Sequence, residues 1–197
     1  MMPQNGINGA TYLALFLSQF DFQGNAKKYL DLIAETLHKD FFGEKVGLAY
    51  TDPKMGELTM NAGVFHFNKE SADNTIALNF RYPQGVDVDG IKAGLEKLEG
   101  PKAVSLSEHG HVPHYVPVND PMVETLLSVY EKQTGLKGHE QIIGGGTFGR
   151  LLKRGVAYGA MFPGYVNTMH QANEFTEVED LYRAAAIYAE AIYELIK

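Results

Sequence analysis

Four glycines fall within the six residues Gly144–Gly149, between the apolar pair Ile142–Ile143 and the apolar run Val156–Phe162. No other stretch restricts the fold as tightly. Glycine is costly to order inside a helix or a strand, and it leaves neighbouring amide N–H groups uncovered. The pattern therefore predicts a strand over His139–Ile143, a tight glycine turn, and a second strand over Val156–Phe162. Amides bared in this way suit the close approach of an anion, either a carboxylate or a phosphate. A structural turn without a ligand is the alternative. Gly144-x-Gly146-x-x-Gly149 also spells the dinucleotide fingerprint. That fingerprint needs a full crossover helix after its glycines. Only Arg150–Arg154 separate Gly149 from Gly155, too little for such a helix, so a nicotinamide-cofactor sheet is rejected.

The 197 residues are enough for one large domain or two small ones with a real core. A net charge of −7 and the lack of a basic run argue against nucleic acid as a partner. No apolar run approaches the length of a membrane span, and Met1-Met2-Pro3-Gln4 has neither the charge nor the apolar stretch of a leader. The chain has no cysteine, which fits a reducing cytoplasm and leaves His, Asp and Glu as the metal ligands available.

In chain order, Asn8 caps a first helix running to Phe20, with Leu13, Phe16, Leu17 and Phe20 as its apolar face. A second helix starts at Gly24 and carries Tyr29, Leu30, Ile33 and Leu37 on one side. Glu57–Asn68 and Thr75–Tyr82 alternate as a β pair, and a phase change at Val64–Phe65 predicts a bulge or twist. A helix over Val88–Leu98 and a strand over Lys102–Glu108 complete an α+β layer. The proline-rich connector Val112–Asn119 marks a domain boundary, dividing the chain into residues 1–115 and 116–197. Asp120-Pro121 starts a helix that ends at Gly135. Thr176-Glu-Val-Glu179 reads as a capping box for a last helix buried along Leu181, Ala185, Tyr188, Ile192 and Leu195. Two helices and two strands make only half of a doubly wound α/β sheet, so the second portion is incomplete.

Three features carry possible chemistry. His170 lies on a polar loop after the second predicted strand, and Glu174 is placed to orient it, to serve a metal, or to charge the start of the last helix. His109, His111 and His114 cluster on the connector, where a metal tract competes with plain solvent exposure. Arg81 ends a strand before Pro83, where its planar fork can grip a carboxylate or simply face water.

Beyond spacing, the chain resembles the C-terminal portion of bacterial dipeptidases of metallopeptidase family M20. The resemblance rests on Pro3-x-x-Gly-Ile-Asn8, Leu78-Asn-Phe-Arg81-Tyr-Pro83, Ile143-Gly-Gly-Gly-Thr147 with Arg150, and Phe162-Pro-Gly164 with His170-Gln-x-Asn-Glu174. It implies a two-zinc hydrolase of dipeptides with a free C-terminal carboxylate, built from an α/β catalytic domain interrupted by a lid. Residues 1–115 match the second half of the lid, and 116–197 match the last part of the catalytic domain. By the same resemblance, His170 is a metal ligand and Arg81 grips the substrate carboxylate. Gly144, Gly145, Gly146 and Thr147 form the turn whose amides help to hold it.

The family's early His-x-Asp motif, bridging Asp and Glu-Glu pair are absent here, and Phe148-Gly149 stand where Tyr-Ala is usual. The expectation is a fragment that lacks most zinc ligands and the general base, binds zinc weakly or not at all, and is inactive without the N-terminal half. A non-catalytic binding or dimerisation module derived from such an enzyme is the competing reading, and self-association through an incomplete sheet fits either.

Overall fold

Asn8 does two jobs at the start of the first helix. Its side-chain oxygen accepts from Thr11 N at 3.3 Å, and its Nδ2 donates to Ala62 O at 2.7 Å. One residue thus caps the helix and ties it to a strand far along the chain. The computed structural model describes every residue except Met1, Ser71, Ala72, Lys102, Glu108, His109 and Ala160. It divides into two units, Met1–His114 and Tyr115–Lys197.

In the first unit, helix α1 (Gly9–Leu17) is followed by α2 (Gly24–Leu32), which runs on into a π-helical turn, Ile33–Leu37. Strands β1 (Thr51–Asp52) and β2 (Gly56–Glu57) form a small hairpin. Asp52 builds its turn by accepting from Lys54 N at 2.8 Å and Met55 N at 2.7 Å. Strands β3 (Thr59–His66) and β4 (Thr75–Arg81) pair antiparallel, and α3 (Val88–Leu95) follows, capped by Asp87.

The register of β3 and β4 slips between Ala62 and Val64. Before that bulge Leu58, Met60 and Ala62 point inward. After it Val64 is exposed, and Phe65 packs against the core in its place. The phase change read from the sequence is this bulge, centred at Gly63. The core gathers Ala14, Ile33, Leu37, Val46, Met60, Ile91 and Leu95, with Ile76, Leu78 and Phe80 against it.

Helix α1 corrects one expectation. Its inward side is Thr11 and Ala14, whereas Leu13, Phe16 and Phe20 are more than half exposed. The small pair lets α1 approach the π-helical turn, where His38 Nδ1 meets Thr11 Oγ1 at 3.2 Å and the His38 ring stands edge-on to Tyr12 at 4.6 Å. Thr11 donates its own proton to Asn8 O, so the imidazole nitrogen is the donor in this pair. Burial first, and then Lys39 and Lys45, push the His38 pKa down and favour that neutral ring.

The predicted strand over Lys102–Glu108 is also corrected. Its end residues lie outside the described set, and Ala103–Ser107 form no ladder. Val104 packs against the core by its side chain alone.

The second unit is built on α4 (Pro121–Thr134) and α5 (Val178–Ile196). Asp120 caps α4 through Met122 N at 2.9 Å, and Gly135 closes it in the left-handed conformation with φ 69°. Leu126, Val129, Phe162, Ile187 and Ala191 form the core. The runs expected as strands do not become strands among the described residues: His139–Ile143 is exposed, whereas Val156, Tyr158 and Phe162 pack in or against this core. No strand is present among the described residues of this unit, so the α/β sheet expected over 116–197 does not form among them. The run at Val156 is held by side chains instead. Phe162 is buried, Tyr158 donates its hydroxyl to Leu126 O at 2.7 Å, and Tyr188 donates to Tyr158 O at 3.2 Å. Burial, and then Tyr188, push the Tyr158 phenol up to about 12. A strand persists only beside a partner that satisfies its backbone, and these two runs do not pair with each other.

The capping box is not formed either. Helix α5 begins after Glu177 with no side-chain cap; Thr176 lies before the cap position, and its hydroxyl meets Tyr165 Oη at 3.2 Å. The buried line of α5 is Ala184, Ile187 and Ala191. Leu181, Ile192 and Leu195, expected inside, are exposed.

Asp120 also receives a two-pronged bond from Arg154, Nε to Oδ2 at 2.9 Å and Nη2 to Oδ1 at 2.7 Å. The Arg154 guanidinium first, and then Met122 N–H, hold this carboxyl below the usual aspartate range. A depressed folded pKa stabilises above the unfolded value, and that contribution is lost as pH falls through the folded one. The native chain should therefore outlast Asp120→Asn in urea at neutral pH, with the gap closing below about pH 4. Urea midpoints measured across pH check this; a gap that widens in acid contradicts it.

Candidate functional site

Arg81 is the last residue of β4, opposite Thr59 in the register. Its Nε is buried and has no hydrogen-bond partner, and among the described residues its guanidinium enters no ion pair. A buried, unpaired guanidinium nitrogen is costly unless something meets it. Next to it the chain is well fixed. Tyr82 donates its hydroxyl to His111 O at 3.0 Å, and Gln84 Nε2 donates to Asp52 at 3.1 Å.

In the second unit, the glycines run into a single 3-10 turn, Phe148–Leu151, with no crossover helix after them. Among the described residues, the N–H groups of Gly144, Gly145, Gly146 and Thr147 make no hydrogen bond. The loop is closed by backbone packed on backbone. A Cβ on Gly149 would lie 2.8 Å from Val156 C, and one on Gly155 would collide with Gly149 O. Only glycine allows that approach.

His170 is exposed and sits in the left-handed region with φ 65°; Asn173 is there too, with φ 59°. Its loop is tied by Thr168, which accepts from Phe175 N at 3.1 Å, and by Asn167, which accepts from Met169 N at 3.0 Å. Glu174 makes no hydrogen bond to the imidazole. Its carboxylate accepts from His170 N at 3.2 Å and so steadies the backbone.

Among the described residues, no three His, Asp or Glu side chains are grouped to hold a metal ion. His111 and His114 of the connector form no such group, and His109 lies outside the described residues. One exposed histidine does not fit a zinc ion, which takes three or four protein ligands. Among the described residues, then, none are grouped as a metal centre. Among the described residues, no helix is long and apolar enough to cross a membrane.

The sequence profile of Peptidase family M20/M25/M40 matches residues 19–194. This chain belongs to that family. It is 50% identical over 196 residues to a Beta-Ala-Xaa dipeptidase of Lactobacillus delbrueckii subsp. lactis, a match covering 99% of this chain and 41% of that protein. It is 38% identical over 198 residues to a protein of Bacillus subtilis provisionally named dipeptidase YtjP, covering all of this chain and 42% of the relative. A provisionally named dipeptidase of Staphylococcus epidermidis is likewise 38% identical over 201 residues. The chain spans about two-fifths of the length of these M20 relatives. The family is the one expected from the blocks around Arg81, Gly144 and His170.

Sequence reasoning missed two contacts. Arg150 lies against Gly146, and Glu174 is bonded to the His170 backbone rather than to its ring. The first had a signal in the four-residue spacing from a glycine that leaves room for a side chain. Nothing in the pattern announced the second.

Proposed function

We propose that this chain is part of a metal-dependent dipeptidase and supplies the grip on a dipeptide's C-terminal carboxylate. Residues 1–115 act as half of a lid and deliver Arg81. Residues 116–197 belong to the catalytic domain and deliver the amides of Gly144–Thr147. His170 provides one ligand to zinc, and the other ligands and the general base come from the rest of the enzyme. The remaining strands of a doubly wound sheet would pair with the extended runs, and the enzyme works in the cytoplasm.

The observation that carries this reading is the buried, partnerless Nε of Arg81, a cation with no anion of its own. The dipeptidase names of the relatives support the substrate class. The exposed apolar residues of α5, among them Leu181 and Ile192, support a further portion of protein that covers them.

Dipeptide cleavage is the test. The chain alone should be inactive, and adding the remaining portion of an M20 dipeptidase in trans should restore hydrolysis of dipeptides with a free carboxylate. Arg81→Met in the complete enzyme should raise KM for such substrates about tenfold to a hundredfold, the scale of one lost charge-assisted pair. Unchanged kinetics, or equal cleavage of C-terminal amides, would refute the assignment.

A further inference from the structure

We infer that Arg150 is a second guanidinium for the carboxylate at the glycine turn, which is then clasped from two sides within one unit. The inference rests on the reading of that turn as a carboxylate site, and it adds a binding residue.

The 3-10 turn brings Arg150 back over the glycines, with Arg150 N donating to Thr147 O at 3.3 Å. Its guanidinium fills the space a side chain at 146 would need. A Cβ there would lie 2.6 Å from Arg150 Cζ and would collide with Nη1. Gly146 therefore leaves its own amide bare and also makes the seat on which the arginine rests.

The charges are equally one-sided. Arg154 is paired with Asp120, and Arg183 is paired with Asp180. Among the described residues Arg150 has no ion pair and no side-chain hydrogen bond, and the amides of Gly144–Thr147 are equally unclaimed. A planar fork beside a row of free N–H donors is suited to an oxyanion, each group taking a different lone pair.

Acetate and inorganic phosphate, the two simplest anions of the right kinds, discriminate the possibilities. In the uniformly 15N-labelled chain at constant ionic strength, acetate should move the amide resonances of Gly144–Thr147 and the Arg150 Nε resonance saturably. Arg150→Gln should raise the acetate Kd about tenfold, and Arg150→Lys, a point charge without the fork, should fall between. Resonances of α4 and α5 report whether each variant stays folded, and the lysine variant carries the test if the glutamine variant does not. An unchanged Kd in both variants, no saturable shift in the native chain, or tighter binding of phosphate than of acetate overturns the inference. Its failure is separable from failure of the dipeptidase reading. Acetate binding is measured on this chain alone, whereas that reading falls if amidated dipeptides are cleaved as readily as free ones.

Discussion

Ile187→Ala should destabilise the second unit by about 2–5 kcal/mol, the cost of a cavity in a core that cannot fully collapse. Ile187 is 2% exposed and packs among Leu126, Val129, Phe162 and Ala191. This small cluster joins α4, α5 and the extended run that ends at Phe162. Removing its central side chain loosens all three at once. The chain has no tryptophan, so tyrosine fluorescence and far-ultraviolet circular dichroism follow urea unfolding. Hydrogen exchange along α5 assigns the loss to this unit. Ile192→Ala is the matched control, since Ile192 is 60% exposed and should shift stability by no more than about 0.5 kcal/mol. Equal effects of the two substitutions would mean that the buried line of α5 is not the one described.

Gly155→Ala is the second large effect. Its methyl would collide with Gly149 O and would also lie 2.9 Å from Leu152 Cβ and 3.0 Å from Gly149 C. Two of those three atoms are backbone, so no rotamer change relieves the clash, and the loop must open. The expected cost is about 1–3 kcal/mol, as for other overpacked sites. The functional consequence should exceed what the stability change alone would give, because opening the loop disperses the amides of Gly144–Thr147. Nitrogen–proton spectra should show displaced signals from Gly144 to Val156, with α4 unchanged. Gly159→Ala, with nothing within 4 Å of the added methyl, should leave the signals of Gly144–Val156 in place. A silent Gly155→Ala would remove the close approach from the account of the turn.

What could be read in advance divides along physical lines. The ends of α4 were legible because Asp120-Pro121 and Gly135 act through their own backbone and side chains, independent of anything distant. The β3–β4 hairpin and its bulge were legible because alternation of period two registers each face directly. Helices α1 and α5 were read on the wrong side. Periodicity shows where large apolar residues lie, but which side faces inward depends on the partner present. Here α1 turns Thr11 and Ala14 inward, and α5 turns Ala184 and Ile187, leaving bulkier residues uncovered. The strands near Ile143 and Val156 failed for a related reason, since β propensity becomes a strand only beside another edge. At the site, the importance of Arg81 came from family resemblance. Its buried, partnerless nitrogen is a property of the folded unit alone.

The backbone at His170 has a consequence for how that residue can be interrogated. A left-handed main chain is tolerated by asparagine and histidine far better than by alanine. An alanine scan there would erase the imidazole and distort the loop together, and would credit the ring with both losses. Exchange for asparagine removes only the heterocycle and leaves the Glu174 tether its N–H, so what it costs belongs to imidazole chemistry alone.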